Sequence, residues 1–360
     1  DGWGGKFGRA WGDGLALQDD IAKSGTDAVQ VVRRDDDARR GATRQHKLEA
    51  HAIEPYLKGL AALRQPDDQS KMVEAQRAFE ETVAIDPEFA GAYAGLCRVY
   101  ARVFNQTRDR TNLARAEEAC HKSLALDSSL IETEKALAGL ALSDGDFVAA
   151  EAAYRKLLQV NSLDADSYIG LGTSQAGLGR GAEAESSFRR AVAVDPSYSK
   201  AHASLASYLF ERGKLDEATA ALRKVTELVP SSAIAWNSLG GALLMKGDFS
   251  NALEASTKSL RLEPSKSAYS NIATAYFYLG RFPEAVANNE RAAAIGEHDY
   301  VIQGNLADAL WLTPGRRGEA VQVYRDAIEL AERELEATPG SPSLRAQLGY
   351  FYGRVDEGEK

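Results

Sequence analysis

The feature that most constrains this sequence is a repeat. An alanine recurs at Ala75, Ala116, Ala150, Ala184, Ala218, Ala252, Ala285 and Ala320, at spacings of 41, 34, 34, 34, 34, 33 and 35. About twelve residues further on, several units carry Asp-Pro or a near relative: Asp86-Pro87, Asp195-Pro196, Val229-Pro230, Glu263-Pro264. A period near 34 is too long for a heptad coil and suits two short helices plus turns. A single helix pair has too little apolar surface to stand alone, so neighbours must stack along one continuous seam. The length alone suggests roughly two or three globular domains. The repeat predicts one elongated array instead.

One unit can be read residue by residue. Tyr168, Leu171, Gly172 and Gln175 fall at i, i+3, i+4 and i+7, one face of a helix. Gly179 follows, a stop that can adopt the left-handed conformation. Ala184, Phe188 and Ala191 make a second apolar stripe. Pro196 closes it, because the residue before a proline is pushed out of the α region. Gly145, Gly213, Gly247 and Gly280 take the place of Gly179 in their own units. Gly172 and Gly240 are small where the paired helices must approach closely.

These residues resemble the tetratricopeptide repeat (TPR) pattern, W-x2-L-G-x2-Y, then A-x3-F, then P. Trp236, Leu239, Gly240, Ala252 and Pro264 match it, as do Leu171, Gly172, Ala184, Phe188 and Pro196. Gln175 and Leu243 replace the Tyr, and Ser256 replaces the Phe. The resemblance implies an all-α fold, a right-handed α-solenoid of helix-turn-helix units over residues 52–360. About eight units are expected, plus the first helix of a ninth. They begin near Ala52, Ala90, Ile131, Ala165, Ser199, Ala233, Lys266 and Tyr300, the ninth near Ser341. Phe104 to Thr111 should lengthen the turn of the second unit. The second helix of the eighth should run on through Ala327 to Glu336.

Residues 1–45 lie outside the period. Trp11 and the run Leu17-Gln18-Asp19-Asp20-Ile21-Ala22, with Pro55-Tyr56-Leu57-Lys58-Gly59, resemble the end of a TolB-like domain leading into a TPR array. The resemblance implies that Asp1 lies inside a domain whose front is missing. It also implies a parent bacterial signalling protein with a winged-helix, cyclase or kinase domain, often across a membrane. At the other end, Leu344, Leu348, Phe351 and Tyr352 form the apolar face of the ninth first helix. With no second helix after Lys360, that face is expected to be open. Either the array continues, or the face supports a homo-oligomer.

The chain carries 52 acidic and 43 basic side chains, a net charge of −9. A nucleic-acid surface needs a basic stripe, so the balance argues against one. No apolar run reaches the ~18 residues of a membrane span, so no membrane contact is expected of this segment. The compartment stays open: periplasm, if beyond a membrane anchor, or cytoplasm.

Reactive groups do not converge. His46, His51, His121, His202 and His298 are not at metal-ligand spacing. Gly2 to Gly14 lacks a G-x-x-x-x-G-K-[ST] motif, and no G-x-S-x-G elbow occurs. Asp35-Asp36-Asp37, flanked by Arg, reads as a solvated linker. No catalytic residue, metal or cofactor is expected. Cys97 and Cys120 occupy the small-residue position of one helix and the Phe position of its partner. They are either two small buried apolar residues or a disulfide, which would require an oxidising compartment.

Binding is expected on the face opposite the core. At 100° per residue, positions 2, 5, 6, 9, 12 and 13 of each first helix point away from the buried stripe. In units two to five they carry charge, among them Arg98, Arg102, Glu132, Lys135, Asp166, Lys200 and Glu211. In units six to eight they carry Ile234, Leu244, Met245, Phe277, Tyr278, Trp311 and Leu312. Contiguous exposed apolar groups mark interaction sites. Asn237, Asn271 and Asn305, one unit apart on that face, could clamp a peptide backbone. The expected partner is a protein or peptide. Lys200 and Asn237 do not reproduce the Lys and Asn set of the carboxylate-clamp type of groove.

Overall fold

A computed structural model describes residues 50–64, 69–295 and 299–359. Trp11 and Leu17 to Ala22 of the TolB-like stretch, the glycine-rich start, Asp35 to Asp37, His46 and His298 fall outside the described residues, while Pro55 to Gly59 lie within them. Among the described residues there are seventeen helices and no strand. Eight pairs follow in order. They are α1 (Ala50–Ala62) with α2 (Gln69–Ile85), α3 (Ala90–Thr107) with α4 (Arg110–Leu126), α5 (Ile131–Asp144) with α6 (Phe147–Val160), and α7 (Ala165–Gly177) with α8 (Gly181–Val194). Then come α9 (Ser199–Glu211) with α10 (Leu215–Leu228), α11 (Ala233–Lys246) with α12 (Phe249–Leu262), α13 (Lys266–Tyr278) with α14 (Phe282–Ile295), and α15 (Tyr300–Leu312) with α16 (Arg317–Ala337). A last helix, α17 (Pro342–Glu359), stands alone.

The turns explain why the helices stop where they do. Gly145, Gly179, Gly213, Gly247 and Gly280 all have positive φ. The residue after each donates its N–H to the carbonyl five residues back: Asp146 to Ala141, Arg180 to Gln175, Lys214 to Leu209, Asp248 to Leu243, Arg281 to Tyr276. This is the Schellman closure, which satisfies the last helical carbonyls. Asp146 and Asp248 then cap the next helix, accepting from the Ala149 and Asn251 N–H. The second repeat differs. Its extra residues extend α3 to 18 residues instead of lengthening the turn, and Arg108 takes the left-handed position at φ 56°.

The chain divides into two compact units after Ser187, within α8. In the first, α1–α2, α3–α4 and α5–α6 pack as pairs, and α2, α4 and α6 each pack on the following first helix. Its core includes Tyr56, Phe79, Phe89, Leu96, Val99 and Phe104. Phe79 fills the groove left by Gly59 and Gly95, where any Cβ would strike its ring. In the second unit, α9–α10, α11–α12, α13–α14 and α15–α16 pair, and each second helix packs on the following first helix. All eight alanines of the repeat are fully buried. That position is sealed inside each repeat, so a larger side chain there would have to displace its neighbours.

The expected open face of the ninth helix is not open. Leu344, Leu348 and Phe351 are buried in one cluster with Leu306, Leu310, Tyr324 and Ile328. Phe351 lies against Gly304, where a Cβ would collide with its ring. Tyr352 turns outward, its hydroxyl donating to Glu332. The apolar stripe of α17 is consumed by α15 and α16.

Candidate functional site

First helices touch not only their partners but also the next first helix: α1–α3, α3–α5 and α5–α7 in the first unit, α11–α13 and α13–α15 in the second. They therefore line a common face of each stack. On that face in the second unit, positions 12 and 13 form two rows at repeat spacing.

The outer row is exposed. Met245 is 65% and Tyr278 61% accessible, and Leu312 follows one repeat on at 44%. The Tyr278 ring stacks on Phe249 at 4.7 Å with an interplanar angle of 7°, so it is held rather than free to rotate. Ile234, at the opposite end of α11, is 77% accessible. The inner row sinks progressively into the protein. Leu244 and Phe277 are half-buried; Phe277 meets Phe282 edge-on at 5.6 Å. Trp311 is only 9% accessible.

Trp311 thus departs from the expectation of an exposed groove aromatic. It meets Tyr324 edge-on at 6.2 Å, and the guanidiniums of Arg317 and Arg354 lie 5.1 Å from its ring. Arg354 comes from α17, which covers the residue. Below it, Asp308 Oδ1 accepts from Tyr324 at 2.5 Å and from Tyr350 at 2.6 Å. Burial, then the Asp308 carboxylate, pushes both phenols above their ordinary range. This cluster ties α15, α16 and α17 together.

The three asparagines are all half-buried. Asn271 Nδ2 donates to Asn237 Oδ1 at 3.0 Å and to the Asn237 main-chain oxygen at 3.3 Å. Two of the expected backbone clamps are therefore bonded to each other. Sequence reasoning placed them on one face; it did not foresee the bond, because repeat spacing gives no inter-helix distance.

Away from this face, Trp236 donates through Nε1 to the Pro230 carbonyl at 2.9 Å, and Lys258 lies 4.5 Å from its ring. His202, at the equivalent position, makes the same 2.9 Å contact from Nε2 to Pro196 O. Both are structural ties between a first helix and the turn before it. Trp236 walls a cavity of about 230 Å³ over Leu239 and Leu243, smaller than the ~300–1,000 Å³ usual for ligand sites. In the first unit, groove charges are largely paired, as Lys135 is with Asp164 at 3.1 Å. Cys97 and Cys120 are joined as a disulfide between α3 and α4, fully buried, with Cα atoms 5.0 Å apart. Among the described residues, no group of three or more His, Cys, Asp or Glu is placed to hold a metal ion. No described helix is long and apolar enough to cross a membrane.

Models of the tetratricopeptide repeat match residues 135–201, 203–266 and 267–298. The helix pairs within residues 135–298 are tetratricopeptide repeats. Solved TPR-like structures agree on the fold. Yeast Tom70 superposes with a TM-score of 0.54 at 19% identity, covering 85% of this chain and 66% of that one. The Cut9–Hcn1 hetero-tetramer of APC/C gives 0.54 at 16%, covering 78% and 52%. Pseudomonas aeruginosa pilF gives 0.51 at 18%, covering 63% and 98%. No curated protein sequence matches. Stacked tetratricopeptide repeats support a protein–protein interaction module.

Proposed function

We propose that this chain binds a peptide or partner protein along the first-helix face of its sixth to eighth repeats, and that it does no chemistry of its own. The observation that carries this reading is the exposed apolar row Met245, Tyr278 and Leu312, repeated at the period of the fold. Apolar groups repeated at the period of the helices bury area against an extended partner. Tyr278 is the anchor, since Phe249 already fixes its ring. Leu244 and Phe277 form the floor beneath it, and Asn237, Asn271 and Asn305 supply the polar contacts.

Two further parts of the reading rest on less. The TolB-like resemblance of the amino-terminal stretch favours a sensory or regulatory part of a larger bacterial signalling protein. The Cys97–Cys120 disulfide favours an oxidising compartment such as the periplasm over the cytoplasm. Self-association through Leu348 and Phe351 loses its support, because both side chains are buried within their own chain. The test is capture of partners by the chain and by a Met245→Ala/Tyr278→Ala variant. Partners lost in the variant, with the helical content unchanged, support the groove. Partners retained in full sink it.

A further inference from the structure

The second helix of each repeat has a position four residues after the buried alanine; at Phe79, Cys120 and Ser256 it meets a small residue of the paired helix, Gly59, Cys97 and Gly240. In the first, third and eighth repeats it holds Phe79, Tyr154 and Tyr324. The second holds Cys120, cross-linked to Cys97, and the fifth holds Leu222. The sixth and seventh differ in kind: they hold Ser256 and Asn289, which are 0% and 2% accessible. Among the described residues, Ser256 Oγ and Asn289 Oδ1 have no hydrogen-bond partner. Ser256 Oγ is pressed against Gly240, where a Cβ would collide with it. A buried polar atom left unpaired is a standing cost to the folded state. Two such atoms fall at equivalent positions of adjacent repeats, α11–α12 and α13–α14, and nowhere else among the described residues of the second unit.

Those two repeats carry the groove. Gly240 and Met245 share α11, and Asn271, Phe277 and Tyr278 share α13. In a stack, each repeat adds its own stability plus its contacts with neighbours. Interior repeats, with two neighbours, should ordinarily be better protected than the last one. Here the eighth repeat is locked by the Asp308–Tyr324–Tyr350 cluster and by α17, while the sixth and seventh carry unpaired polar cores.

We propose that the sixth and seventh repeats are a compliant segment behind the groove, opening locally more often than the fifth and eighth repeats beside them. Local opening of this kind is where binding surfaces adapt to an occupant. Groove occupancy and closure of α11–α14 are then coupled, so that a bound segment firms the helices it lies on. This coupling rests on the groove reading above; the compliance itself does not.

The test is amide hydrogen exchange of the free chain, helix by helix. Amides of α11–α14 should exchange about tenfold faster than those of α9–α10 and α15–α16. Ser256→Ala removes one unpaired oxygen without adding volume, and Asn289→Leu installs the residue type found at Leu222. Each should slow exchange across α11–α14 by about tenfold and leave α15–α16 unchanged. Equal protection across the four repeats overturns the proposal. So does a folded Ser256→Ala protein with unaltered exchange, or an Asn289→Leu chain that fails to fold. No partner is present in these measurements, so their failure leaves the groove reading standing. Loss of that reading through Met245→Ala/Tyr278→Ala would equally leave the compliance measured here.

Discussion

Asn271 Nδ2 donates to Asn237 Oδ1 at 3.0 Å, a bond between the first helices of two consecutive repeats. It joins α11 to α13 on the face those first helices share. Both residues are half-buried, so the bond is partly shielded from water but open to a competing backbone.

Replacing the Asn271 amide with a second acceptor should do more harm than deleting it. Asn271→Ala loses the two neutral hydrogen bonds to Asn237, about 1 kcal/mol each. Asn271→Asp sets a carboxylate against the two Asn237 oxygens that now accept from it. We expect stability in the order native, Asn271→Ala, Asn271→Asp by urea denaturation, and the gap between the variants should close as the carboxylate is protonated at low pH. An Asp variant as stable as native at neutral pH would mean that the bond does not form.

Trp311 should behave as a core residue and not as a ligand contact. Trp311→Ala removes a side chain that is 9% accessible and boxed by Tyr324, Arg317 and Arg354. A loss of about 3–5 kcal/mol is expected, with a lower Tm for the second unit. Phe351→Ala, which empties the place against Gly304, should act in the same range. A Phe351→Ala chain of unchanged stability but reduced mass in solution would instead restore the open-ended, self-associating face.

The disulfide stands where other repeats place a small residue opposite a large one. Cys97 and Cys120 are 23 residues apart in sequence and fully buried. Converting both to Ala removes the cross-link and should destabilise the first unit by about 2–4 kcal/mol. Thiol titration of the unfolded chain should find no free thiol before reduction and two after it. Two free thiols before reduction would contradict the bond and the compartment argued from it.

Glu151 gives the first unit an acid limb. Its carboxylate accepts from Arg155 at 2.8 Å and from Arg180 at 2.9 Å and is buried. The Arg155 hydrogen bond, with help from the charge of Arg180, holds it below its ordinary value of 4.5. The folded form therefore binds its proton later than the unfolded chain does. The stabilisation is complete above the ordinary value and is lost as pH falls from there through the lower folded value. Glu151→Gln should flatten the stability profile in that window and leave its shape above pH 5 unaltered. A parallel profile for the two chains would show that Glu151 does not titrate with folding.

Much of the fold was legible because one steric demand is written eight times. The alanine position is fully buried in every repeat, so it cannot drift, and its spacing exposes the period. The stop glycines are legible for a similar reason: positive φ admits few other residues, and Arg108 is the one that stands in. The site was legible only in part. Met245 and Tyr278 do face outward, since helix periodicity fixes which side a residue takes. Trp311 faces the same side but is covered by α17, a tertiary fact that no spacing within α15 contains. The unpaired Ser256 and Asn289 were visible only as departures from the Phe of the repeat pattern. Their lack of partners depends on the helices packed against them.

The central claim is that partners are held by the first-helix row and not by apolar residues elsewhere. Peptides selected from a random library on the intact chain supply the probe, with affinity read by titration calorimetry. Leu262, on the second helix α12 and 46% accessible, is the control. Tyr278→Ala should weaken the selected peptides about tenfold or more, and Leu262→Ala should leave them unchanged. Equal affinity for the Tyr278→Ala chain, or a loss confined to Leu262→Ala, would contradict the account.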